Sequence, residues 1–237
     1  MKLNNYKVVA KESIESGILH LDLSNMQTRR ILNALGPLNL PNLDDLVLRM
    51  YGDPRENDDK KEIINIIKKS FPTQVKKLRI MNNGTIEIDY WLDVLQSATQ
   101  RVNQEFRVNN FSASLDTFDR ALKAFSQTEK ILMSFCKVDT FLIDSDDGDR
   151  DFKIKKIRLS DIKNANIEDM KQIINILAKH DKLKSSLDCL SFKNSQIFEE
   201  KQVFTEELNK HIENKDFQKI KKAKFKNIYQ CSSEGSE

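Results

Sequence analysis

Five aspartates crowd one stretch, at Asp144, Asp146, Asp147, Asp149 and Asp151, a density of carboxylates that invites a calcium site. Calcium loops need oxygen ligands at set positions, a glycine at the sharp turn and a bidentate glutamate at the end. Gly148 is misplaced relative to the aspartates, and Ile154 stands where that glutamate is needed. A solvated acidic turn accounts for the stretch more simply. Nucleophilic and acid–base chemistry fare no better. His20, His180 and His211 are far apart along the chain. No G-x-S-x-G, P-loop, H-E-x-x-H or dinucleotide fingerprint is present. Cys189 beside Asp188 is more simply a structural thiol than a nucleophile, and Trp91 a buried helix residue. The sequence thus predicts a non-enzymatic protein with no catalytic residue, no metal site and no cofactor.

The cations say more. Lys76, Lys77 and Arg79 interleave with Val75, Leu78 and Ile80; Arg107 lies between Phe106 and Val108; Lys155, Lys156 and Arg158 interleave with Ile154, Ile157 and Leu159. In a strand, a period of two sends the apolar set to one face and the intervening residues to the other. Lys76, Lys77, Arg79, Arg107, Lys155, Lys156 and Arg158 are therefore expected on one face, placed to bind an acidic segment of another protein. The competing account is a solvated strand face. Asp44, Asp45 and Arg49 from an earlier strand, and Asp139, Thr140 and Asp144 from a later one, should share that face. The expected surface is banded: acidic, basic, acidic, basic. A second basic run, Lys215 to Lys226, could meet RNA or an acidic lipid surface. Phe217 and Ile220 interrupt it at helical spacing, which favours the polar side of a helix.

The elements that position these residues recur. Apolar triplets start at Ile18, Leu43, Val75, Val138, Ile154 and Leu187, with a polar residue heading the set at Asn103 and a shorter strand near Phe225. Amphipathic segments separate them: Thr28–Leu35, Asp58–Phe71, Ile88–Val102, a long helix beginning near Ser114 or Asp116 and running through Phe118, Leu122, Phe125, Ile131 and Phe135, then Ile167–Lys182 and Phe198 to about Lys222. The intervals are 25, 32, 28, 35, 16, 33 and 38 residues. The short one, Val138 to Ile154, leaves no room for a helix. It predicts either a repeat with a bare loop or a hairpin in which one strand leaves the ladder.

The spacing resembles the leucine-rich repeat signature L-x-x-L-x-L-x-x-N/C-x-L, over about residues 18–231. The asparagine that closes the turn is clear at Asn83; Met26, Tyr51, Phe111, Asp146, Ile162 and Ser195 stand in its place elsewhere. The resemblance is to the helix-bearing, ribonuclease-inhibitor-like kind. It implies an α/β solenoid, a horseshoe with a parallel concave sheet and outer helices. Residues 1–17 would form a cap or lead-in and 232–237 a polar tail. It also implies a protein-binding scaffold, adaptor or subunit of a larger assembly, with an RNA-associated subunit or a regulator of a GTPase as alternatives. Independently of the family, a strand–helix unit with one apolar face must stack on its neighbours to bury it.

Composition sets the outer bounds. The 237 residues carry 39 Lys+Arg against 36 Asp+Glu, a net charge of +3, which argues against a dedicated nucleic-acid binder. Cys136, Cys189 and Cys231 are odd in number and widely spaced, the pattern of reduced thiols. No run of 18 apolar residues is present, so no membrane span is expected. The first residues lack the apolar core of a signal peptide, and the expected location is cytoplasmic.

Overall fold

The computed structural model describes residues 17–35, 38, 43–50, 57–82, 88–139, 151–160, 167–193, 206, 209–210 and 224–226. Strands and helices alternate along them. β1 (Ile18–Asp22), α1 (Met26–Leu35), β2 (Asp45–Met50), α2 (Asn57–Ser70), β3 (Val75–Asn82), α3 (Ile88–Leu95), β4 (Val102–Ser114) and α4 (Leu115–Ala124) make the first half. β5 (Lys130–Asp139), β6 (Lys156–Ser160), α5 (Ile167–Lys179), α6 (Asp181–Ser186), β7 (Cys189–Lys193) and β8 (Lys224–Lys226) follow. The strands form one sheet, parallel throughout, in the order β1 to β8. Parallel neighbours need long crossovers, and here helices supply most of them. Each helix packs against the next, so the helices make a second layer.

The register is set by one buried row per strand position. Leu19, Leu46, Leu78, Phe106, Ile131, Ile157 and Leu190 pair across the sheet and are all buried. Two residues on, Leu21, Leu48, Ile80, Val108, Met133 and Leu159 repeat the pattern. A one-residue slip would drive both rows into solvent. Each such side chain contributes about 1.5–3 kcal/mol when fully buried. Across them lie Leu32, Ile63, Ile66, Ile67, Trp91, Leu95, Phe118, Leu122, Ile173, Ile174 and Leu177 from the helices. Phe106 and Phe125 stack ring on ring, centroids 3.6 Å apart.

This register corrects the expected frame in the middle of the chain. The long helix does not reach Phe135: α4 ends at Ala124, and Ile131–Phe135 lie in β5. Val138 is near the end of β5, not the start of a strand, and β5 stays in the ladder as a parallel member. The steps from Leu19 to Leu46, Leu78, Phe106, Ile131, Ile157 and Leu190 become 27, 32, 28, 25, 26 and 33 residues, and the anomalous interval disappears. The aliphatic sought at Asn103 is Val102, buried and paired with Val75. The helix expected over Ile88–Val102 stops at Leu95, and a 3-10 turn, Thr99–Arg101, leads into β4. The helix expected through Lys182 breaks at His180, whose backbone is extended. Asn83, most of the acidic stretch at 144–149, and the lysines at 215–222 lie outside the described residues.

Polar ties hold the units in register. Ser70 Oγ donates to Leu32 O (2.8 Å), Thr128 Oγ1 to Val102 O (2.9 Å) and Ser186 Oγ to Ile154 O (2.9 Å), each joining one unit to the one before. At strand entries one carbonyl serves two amides. Gly17 O accepts from Asp44 N and Asp45 N, Glu129 O from Lys155 N and Lys156 N, and Lys155 O from Asp188 N and Cys189 N. Gly17 has a positive φ of 68°, which a side chain would disfavour. The helix layer is bridged by ion pairs, Arg29 to Glu62, Lys60 to Asp93 and Arg120 to Asp89 and Asp93, and by the hydrogen bond between His180 and Asp119. Asn25 Oδ1 accepts from Gln27 N (2.8 Å) and Thr28 N (3.3 Å), capping α1.

Candidate partner-binding face

The sheet has a second face, made of the residues between the buried rows. Two outward rows cross it. One runs Ile18, Asp45, Lys77, Glu105, Lys130, Lys156, Cys189; the other runs His20, Val47, Arg79, Arg107, Leu132, Arg158, Ser191. Asp45, Val47 and Ser191 are buried, and the rest are partly or fully exposed. On β2 to β6 these rows hold six cations, Lys77, Arg79, Arg107, Lys130, Lys156 and Arg158, against two carboxylates, Asp45 and Glu105. The excess of four positive charges here exceeds that of the entire chain, +3, so the face is a local concentration of charge.

The seven expected cations divide by their partners. Lys76 and Lys155 lie at strand entries and are paired, Lys76 Nζ to Asp44 Oδ1 at 2.7 Å and Lys155 Nζ to Glu129 Oε1 at 3.3 Å. Arg79 Nη2 meets Asp45 Oδ2 at 2.6 Å. Lys77, Arg107, Lys156 and Arg158 have no ion-pair partner among the described residues. Lys130 joins them, on a stretch that the sequence alone assigns to the long helix. Together with Leu132 it was missed because KILMSF fits either period when read alone. The signal available was the even spacing it restores, 25 residues back to Phe106 and 26 on to Ile157.

The acidic band expected from the fifth strand is therefore absent from these rows. Lys130 and Leu132 occupy its place; Asp139 is the last residue of β5, and Thr140 and Asp144 lie outside the described residues. In these two rows the residues from β3 to β6 are all cations except Glu105 and the apolar Leu132.

The β1–β2 end is electrostatically distinct. The Asp45 side chain is 5% exposed, and its Oδ1 has no hydrogen-bond partner among the described residues. Burial pushes its carboxyl above the usual range; the Arg79 and Lys77 charges pull it down without offsetting that. Partial burial, then the positive charge of Arg49, holds His20 below its ordinary value. His20 is thus neutral at pH 7 and adds no charge to the face.

No family model, curated protein or solved structure matches this chain. Among the described residues no cluster of His, Cys, Asp or Glu could hold a metal ion. No helix among them is long and apolar enough to cross a membrane. His20 and His180 stand on different layers, His20 on the outward sheet face and His180 in the buried contact with Asp119. Cys189 is a half-buried thiol in the outward row of β7.

Proposed function

We propose that the chain is a leucine-rich-repeat-like solenoid acting as a non-enzymatic scaffold in the cytoplasm, and that its outward sheet face, the concave one in such a solenoid, docks an acidic segment of another protein. One observation carries this: five cations, Lys77, Arg107, Lys130, Lys156 and Arg158, stand in two registered rows on β3 to β6 with no ion-pair partner among the described residues. Unpaired charge of one sign raises the encounter rate with the opposite sign and selects against like-charged partners. The sequential parallel sheet, the 25–33-residue steps and the buried triplets support the repeat assignment.

The test is zero-length carbodiimide cross-linking after affinity purification, since that chemistry joins carboxylates to lysine amines. The expected result is cross-links from acidic segments of a captured protein to Lys77, Lys130 or Lys156. They should vanish in the triple variant Lys77→Glu, Arg107→Glu, Arg158→Glu. If every partner stays bound to that variant, the outward face is not the docking surface. Binding of RNA that weakens steeply with salt and is lost in the same variant would move the face to a nucleic-acid role.

A further inference from the structure

Within the two outward rows the basic stretch from β3 to β6 is interrupted by one apolar residue, Leu132; Met81 on β3 adds a second exposed apolar side chain further along the same face. Leu132 is partly exposed and sits on β5 in the row Arg79, Arg107, Leu132, Arg158, with Lys130 two residues before it on the same strand. Leu132 thus offers a small apolar contact between two arginines that have no ion-pair partner among the described residues. Building on the docking face proposed above, we infer that it accepts an acidic α-helix laid across the strands, one apolar residue seated on Leu132 and carboxylates on either side meeting Arg107 and Arg158.

Spacing favours a helix over an extended segment. Adjacent strands are about 4.8 Å apart, so Arg107 and Arg158 leave the sheet about 9.6 Å apart with Leu132 midway. On a helix, positions three before and four after a given residue share its face and are about 10.5 Å apart. In an extended chain the same-face positions two before and two after are about 13.4 Å apart. The helix matches to about 1 Å, whereas the extended segment overshoots by about 4 Å and would force both arginines to splay. Glu105 lies in the other outward row beside Lys130, so a carboxylate of the partner is disfavoured above β4 in that row and favoured above β5 and β6.

The probe is a fluorescein-labelled, alanine-rich helical peptide with a central Leu, a Glu three residues before it and a Glu four residues after, titrated with the full chain by fluorescence anisotropy. Binding should weaken by about tenfold when the peptide's Leu becomes Ser, the loss of one part-buried leucine contact. The protein variant Leu132→Ser should show the same loss, with an unchanged circular dichroism spectrum. The peptide-side change keeps the test valid should that variant misfold. No measurable binding of the Leu-centred helix overturns the inference. So does equal binding of a proline-broken peptide, which would indicate an extended occupant, or of the Ser-centred peptide. If Arg107→Glu with Arg158→Glu abolishes peptide binding while Leu132→Ser does not, the charged docking face stands and the apolar seat falls. If neither variant changes binding, both fall together.

Discussion

Asp119→Asn should destabilise the chain by about 2–3 kcal/mol at pH 7. The Asp119 side chain is 3% exposed and sits between two partners, His180 Nε2 at 2.6 Å from Oδ1 and the Lys123 ammonium, Nζ at 2.8 Å from Oδ2. His180, 5% exposed, also packs on the Phe152 ring at 5.1 Å. Removing one member of a buried ion pair costs about 3–5 kcal/mol because the other charge is left without compensation. Asn keeps one acceptor for His180, and Lys123, 18% exposed, can turn its ammonium toward water, so the lower figure applies. With a urea slope of about 1–3 kcal/mol per M, the midpoint should fall by about 1 M. Burial alone pushes the Asp119 carboxyl up, but the hydrogen bonds and charges of His180 and Lys123 together hold it below the usual value of 3.8. A depressed folded-state pKa stabilises the fold above the unfolded value and ceases to do so as pH falls through the folded one. The gap between wild type and variant should therefore be full at pH 7 and close below about pH 3.8. Urea titrations at several pH values, read by far-ultraviolet circular dichroism, would measure it. A loss under about 1 kcal/mol at pH 7, or a gap independent of pH, would show that the contact is not a buried, ionised pair.

Asp45→Asn has the opposite sign. Its folded-state pKa is raised, so the wild type loses stability relative to the variant as pH rises through that value, and urea midpoints should favour the variant more at pH 7 than at pH 3. The same change releases Arg79 from its ion pair, and acidic peptides should bind the outward face more tightly in an anisotropy titration. Phe125→Ala removes one of two fully buried stacked rings and should cost about 3–5 kcal/mol, seen as a lowered urea midpoint. Asn25→Ala should cost about 0.5–2 kcal/mol, with hydrogen-exchange protection lost first in α1. Arg120→Ala removes two contacts made by a half-exposed guanidinium and should change stability by less than about 1 kcal/mol, measured the same way.

Where the sequence was legible, period and composition agreed. Leu19, Leu21 and Leu23 alternate with His20 and Asp22, and Leu78 and Ile80 with Lys77 and Arg79, so β1 and β3 could be placed before any coordinates. The face carrying Lys77, Arg79, Arg107, Lys156 and Arg158 follows from that alternation alone. β5 was not legible because Leu115, Phe118, Leu122, Phe125, Leu132 and Phe135 keep helical steps of three, four and seven across a boundary that only Ser126 and Gln127 mark. Tertiary pairing decided it: Ile131 meets Phe106 on one side and Ile157 on the other. The break at His180 was hidden for a related reason. At that break His180 meets Asp119, 61 residues away, and no local pattern reports a partner at that distance. Charge pairing across strands was equally hidden, since Lys76 and Lys77 look alike in sequence and only one of them meets an aspartate.

In this sheet each strand borders only those adjacent in the chain. A pull applied at β1 and β7 would therefore load the strand-entry carbonyls in series rather than in parallel. Extension under force should proceed as a succession of small, similar yields, each releasing a single strand–connection length of 25–33 residues, instead of one abrupt rupture.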